Sequence, residues 1–90
     1  MKLTEVRYFL AICEEGTFTG AANRCGVSQP SLSNAIVRLE RKLGGRLFYR
    51  KPRNVSLSKL GQLLRPHFKK MDRCAERIYR EAERLTGEEK

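Results

Sequence analysis

The 90-residue sequence predicts a mainly α fold: three short helices, a two-stranded hairpin and one long closing helix. Three observations predict it. Apolar residues recur at three- and four-residue spacings through the first 44 residues, interrupted by Gly16, Gly26 and Gly44-Gly45. Between 46 and 57 the pattern changes to two short β-prone runs around a turn containing Pro and Asn. From Ser58 the helical spacing returns and holds to about Leu85.

The first helix is predicted to start at an N-cap on Thr4, with Glu5 favourable at the positive end of the helix dipole. Leu3 and Tyr8 are placed to form a hydrophobic staple across that start. Val6, Phe9, Leu10 and Cys13 share one face, and Gly16 ends the helix. Thr17 caps a second helix over Phe18–Arg24, with Ala21, Ala22 and Cys25 on its inner side. Ser28 caps a third, in which Pro30 occupies the first turn, where no backbone N–H is needed. Its buried stripe is Leu32, Ala35, Ile36, Leu39 and Leu43. The strands are Leu47-Phe48-Tyr49 and Val55-Ser56-Leu57, flanking Arg50-Lys51-Pro52-Arg53-Asn54, and Ser58 caps the last helix.

Charge is distributed unevenly. Of the net +9, residues 38–70 hold eleven basic side chains against the single acid Glu40, a net of +10, while the rest of the chain is −1. That block favours a polyanionic partner, nucleic acid first and an anionic membrane second. No apolar run approaches the roughly 20 residues of a membrane span. The N-terminal residues lack the apolar core of a signal peptide, so an intracellular protein is expected. Cys13, Cys25 and Cys74 are odd in number and lack a Cys-x-x-Cys spacing, which points to neither disulfide framework nor zinc site. His67 has no partner at a catalytic spacing, and no Gly-Lys-Ser/Thr signature follows Gly44-Gly45-Arg46. No enzyme, metal or cofactor is expected.

Residues 18–37 meet the demands of a helix-turn-helix. Two helices joined by a short turn need a small residue at their contact, supplied by Ala22, and a positive-φ residue in the turn, supplied by Gly26. Ala21, Cys25, Val27, Leu32 and Ala35 fill the wedge between them. Opposite the buried stripe of the third helix lie Pro30, Asn34, Val37 and Arg41, flanked by Ser33 and Arg38, with Gln29 at the tip. Short hydrogen-bonding side chains followed by basic ones suit a helix entering a major groove tip first.

With these residues in place, the chain resembles the N-terminal winged helix-turn-helix domain of LysR-type transcriptional regulators. The resemblance rests on Tyr8-Phe9, Gly16-Thr17-Phe18-Thr19 with Ala21-Ala22, and Val27-Ser28-Gln29-Pro30-Ser31-Leu32-Ser33. It continues through Ile36, Leu39-Glu40, Leu43-Gly44, Leu47-Phe48, Arg50, Arg53, Val55, Leu57 and Gly61. It implies sequence-specific binding of duplex DNA, with residues 1–58 as the DNA-binding domain and 46–57 as the wing.

Base contacts are then expected from Gln29, Pro30, Ser33, Asn34 and Val37, with Arg53 of the wing in the minor groove. Phosphate contacts are expected from Thr19, Ser28, Ser31, Arg38, Arg50 and Lys51. Asn34 stands where the family often has Arg, which shifts the expected preference from guanine towards adenine. Gly20 replaces a commonly basic residue, and Ser58 and Leu60 stand where Thr and Ala are more usual.

The last helix carries two interleaved heptad series, Leu64, Met71, Ile78 and Leu85 with Phe68, Ala75 and Ala82. Residues 58–85 would span about 42 Å, more than the small head can cover. A homodimer through this seam is therefore expected, with 59–86 as linker and dimerisation helix and 87–90 as a tail. Pro66 falls inside it and removes one backbone hydrogen bond. Cys74 is expected beside the seam, and the mixed acids and arginines after residue 70 on an exposed flank directed away from DNA.

Family members carry a larger effector-binding domain after this helix, whereas this sequence stops at Lys90. No small-molecule effector site is expected within it, and its expected place is the cytoplasm with the nucleoid. The competing reading is a protein-interaction module, with the long helix paired to another chain and DNA contact incidental.

Overall fold

The structure is a computed structural model that describes residues 1–88. Its elements are α1 (Leu3–Glu15), α2 (Phe18–Cys25), α3 (Gln29–Leu43), β1 (Phe48–Arg50), β2 (Val55–Leu57) and α4 (Lys59–Glu88). This is a winged helix-turn-helix followed by a long helix, and its longest dimension is 52 Å.

The caps explain most of the boundaries. Thr17 Oγ1 accepts from the Gly20 N–H at 3.0 Å, and Ser28 Oγ accepts from the Ser31 N–H at 3.2 Å. Ser58 Oγ accepts from the Gly61 N–H at 3.0 Å and donates to the Arg46 carbonyl, so this buried hydroxyl starts α4 and holds the start of the wing. α1 begins before the predicted Thr4 cap. The Glu5 carboxylate accepts from the Lys2 N–H at 2.8 Å, which satisfies an otherwise free donor and leaves Thr4 within the first turn.

Gly26 closes α2 at φ 69°, where a side chain would be strained, and lets α3 turn across α2. The strands pair antiparallel, Phe48 with Leu57 and Arg50 with Val55. β1 begins one residue later than predicted. Leu47 is fully buried, and its carbonyl accepts from the Ser58 N–H at 2.9 Å outside the ladder. The loop therefore shortens to residues 51–54, with the Lys51 N–H donating to the Asn54 carbonyl at 2.9 Å.

Val6, Phe9 and Ile12 of α1 meet Leu32, Ile36 and Leu39 of α3 in the core, with Leu47 and Phe48 closing it. Phe9 is central, its ring 5.1 Å from Phe48 and 4.9 Å from Phe68, the latter edge-on. Phe68, expected on the dimer seam, is only 3% exposed: the head itself covers it. Leu64 is also partly buried against this core.

Gly61 lets α4 pass close against the head. A Cβ there would lie 2.5 Å from the Leu47 carbonyl oxygen. Leu43, expected in the buried stripe, is exposed at the last residue of α3, one turn past the buried Leu39. α4 passes through Pro66 and continues to Glu88, so Gly87 and Glu88 of the predicted tail are helical. Residues 89 and 90 lie outside the described residues.

Candidate nucleic-acid interface

The tip of α3 and the hairpin form one side of the head. Ser28 fixes the first turn of α3, which leaves Pro30, Ser31 and Asn34 exposed, with Val37, Arg38 and Arg41 following on the same side. Gln29 and Ser33 are half-buried, and Gln29 Nε2 donates to Ser33 Oγ at 2.8 Å. The hairpin holds Lys51, Pro52, Arg53 and Asn54 in solvent. A groove of about 300 Å³ separates this tip from Thr17, Thr19 and Gln29.

Most of the predicted contact residues thus come together. Pro30, Ser31, Asn34, Val37 and Arg38 lie exposed along α3, Thr19 and Ser28 are exposed beside its tip, and Lys51 and Arg53 sit on the hairpin. Arg50 differs. Its guanidinium lies 4.0 Å from the centre of the Phe18 ring, and Nη2 donates to Ser33 Oγ at 3.2 Å. A second groove, between the back of α3 and β1, is lined by Arg41 and Arg46. Neither was among the predicted contacts, although their place in the basic block was the available signal.

Glu40, the only acid of that block, lines the same groove as Arg41 and Arg46. Its carboxylate accepts from the Leu47 N–H at 2.7 Å, within the α3–β1 connection. Burial pushes the Glu5 carboxyl up, but the Lys2 N–H and the Lys42 ammonium 3.6 Å away outweigh it and hold the group below its ordinary value. Burial pushes the Cys13 thiol up despite Arg65 and Lys69, which disfavours the reactive thiolate. Cys25 is half-buried and Cys74 exposed. Among the described residues no cluster of His, Cys, Asp or Glu could hold a metal ion.

The predicted dimer seam is divided. Leu64 and Phe68 face the head, whereas Met71, Ile78, Ala82 and Leu85 are exposed and Ala75 is half-buried. Leu63, at the edge of the exposed apolar line, is 65% exposed and was not anticipated, because it falls outside both heptad series. A further face of α4 carries Lys70, Arg73, Arg77 and Arg80 around a shallow depression. The near-neutral sum over this segment had hidden that segregation. No helix of the described residues is long and apolar enough to cross a membrane.

Residues 3–62 match the model of the bacterial regulatory helix-turn-helix protein, lysR family. The chain is 44% identical over 69 residues to the SDS degradation transcriptional activation protein of Pseudomonas sp. (strain ATCC 19151), covering 77% of this chain and 22% of that protein. It is 47% identical over 62 residues to the HTH-type transcriptional regulator BudR of Raoultella terrigena, covering 69% and 21%. The chain thus spans about a fifth of the length of these two relatives. Among solved structures, the BenM_DBD/catB site 1 DNA complex superposes with a TM-score of 0.89 at 32% identity, over 96% of this chain and 97% of that one. The CbnR_DBD–DNA complex superposes with a TM-score of 0.87 at 28% identity, over 96% and 99%.

Proposed function

The chain belongs to the lysR family of bacterial regulatory helix-turn-helix proteins, and from that premise we propose that it binds duplex DNA sequence-specifically, as a homodimer, to regulate transcription. One observation carries the proposal. An uncharged tip formed by Gln29, Pro30, Ser33 and Asn34 stands beside a basic frame whose single acid, Glu40, accepts from the Leu47 N–H. The frame supplies sequence-independent grip on phosphates, and the tip supplies choice among base edges.

Residues 1–58 act as the reading head. Gln29, Pro30, Ser33, Asn34 and Val37 meet the major-groove edge, and Arg53 enters the minor groove. Thr19, Ser28, Ser31, Arg38 and Lys51 hold phosphates. A second copy of the chain covers Met71, Ala75, Ile78, Ala82 and Leu85, with Leu64 at the margin. The exposed apolar line beyond the head supports this, as do the two alanines, which let helices approach closely. The role is binding rather than catalysis, in the bacterial cytoplasm. The relatives named as transcriptional regulators and the DNA complexes among the structural matches support this reading.

The test is selection of bound duplexes from a random library by the purified chain, followed by titration of the selected and scrambled duplexes. A preference for the selected duplex is expected. With six to ten phosphate contacts per dimer, affinity should fall about 10³- to 10⁵-fold between 50 and 200 mM salt. Equal affinity for both duplexes, or a flat salt response, would defeat the proposal. The exposed face of α4 favours a second reading, a helix-mediated interaction module; self-association without any duplex preference would leave that reading standing.

A further inference from the structure

The hairpin is too small to hold its own orientation. Each strand has three residues, and an isolated two-stranded hairpin is at best marginally stable in water. On the β2 side it is anchored by the Val55 N–H, which donates to the Gly16 carbonyl at 3.0 Å. On the β1 side, the base of the hairpin is held by Phe48, buried against Phe9 and Phe18, and its outer end by Arg50, which reaches across to α2 and α3. Its guanidinium covers the Phe18 ring at 4.0 Å while donating to Ser33 Oγ. The same Ser33 oxygen accepts from Gln29 Nε2. One side chain thus touches the first residue of α2 and, through Ser33, the tip of α3, from a position three residues before Arg53.

Building on the proposed DNA-binding role, we propose that Arg50 is a positioning residue that joins the wing to the recognition helix, so that Arg53 and the base-reading tip engage DNA as one unit. In the free protein its guanidinium already lies on a ring face and spends one donor on a hydroxyl, which fixes the fork against α2 and α3. The planar fork explains the choice of residue: it stacks on an aromatic face and donates in its own plane, which a lysine ammonium cannot do together. The link also changes what Ser33 offers. With both acceptor positions of its oxygen filled by Gln29 and Arg50, only its O–H remains to be presented outward, as a donor to a base or phosphate acceptor.

The test compares Arg50→Gln, Arg50→Lys, Arg53→Ala and the Arg50→Gln/Arg53→Ala pair with the wild type, on the duplex that the wild-type chain selects, after thermal melts establish that each is folded. Both Arg50 variants should bind about tenfold more weakly. Arg53→Ala should cost about fivefold less in the Arg50→Gln background than in the wild type, because a freed wing no longer delivers Arg53. If Arg50→Lys binds like the wild type, or if the two substitutions are additive, the assignment is overturned in favour of an independent charge contact.

Amide exchange in the free protein decides the same point without DNA. The Lys51 N–H should exchange about tenfold faster in both Arg50 variants while α1 amides keep their rates. An unchanged Lys51 rate would overturn the link. If the wild-type chain selects no duplex, the DNA-binding reading falls, and exchange alone decides the role of Arg50.

Discussion

The two halves of α4 share one periodicity and live in different surroundings. In the first half, Gly61 and Phe68 point into the head, the first against the Leu47 backbone and the second against the Phe9 ring. In the second half, Ile78 is 61% exposed and Leu85 59% exposed. At 100° per residue, Met71, Ile78 and Leu85 lie about 90° around the helix from Gly61 and Phe68. The helix therefore presents one face to its own domain and leaves another exposed. A hydrophobic repeat states that a surface is to be covered; it does not state by what.

The largest effect should come from emptying the head side. Phe68→Ala removes a ring from the centre of an aromatic cluster and should cost about 3–5 kcal/mol in denaturant unfolding. A loss below about 1 kcal/mol would mean that this half of α4 is not part of the core. Gly61→Ala tests the same face by overfilling it, since the added Cβ would meet the Leu47 carbonyl oxygen at 2.5 Å. A loss of about 1–3 kcal/mol is expected in the same assay, and a neutral result would show that α4 can withdraw freely.

Charges sharpen the comparison. Glu5 is buried in the head, whereas the Arg77–Glu81 pair at 3.6 Å on distal α4 is exposed. Because the folded state holds the Glu5 carboxyl below its ordinary value, its contribution is present above the unfolded-state value and is lost as pH falls through the lower folded one. Stability should therefore decline below the ordinary carboxylate range. Glu5→Gln should lower neutral-pH stability by about 1 kcal/mol and flatten the acid limb; an unaltered limb would exclude Glu5 as its source. The smallest effect on the head should come from Ile78→Asp, within about 0.5 kcal/mol for the monomer. That substitution should nevertheless convert dimers to monomers in sedimentation, and a persistent dimer would remove the seam.

What the sequence revealed followed the reach of its signals. Thr17, Ser28 and Ser58 read correctly as caps because a cap is decided within four residues. Thr4 failed because Glu5 reached back to Lys2 and started the helix earlier. Leu43 fits the buried stripe of α3 by spacing, but it lies one turn past Leu39, the last buried residue of that helix. Phe68 fits the dimer series equally well, and only the path of α4 beside Phe9 reveals that the head covers it. At the candidate interface, charge and family pattern located the tip of α3 and the wing. They could not distinguish Arg50 from Lys51, because Phe18 and Ser33 lie far from Arg50 along the chain and become its neighbours only through packing.

The hydrogen bond from Val55 to Gly16 also ties the wing to the turn that ends α1. That bond and the buried Phe48 hold the base of the hairpin, while residues 51–54 are all exposed. Amides of this loop should exchange ahead of those in α1 and α3. The segment that would hold Arg53 against DNA is thus a stretch of the wing with no buried side chain to steady it.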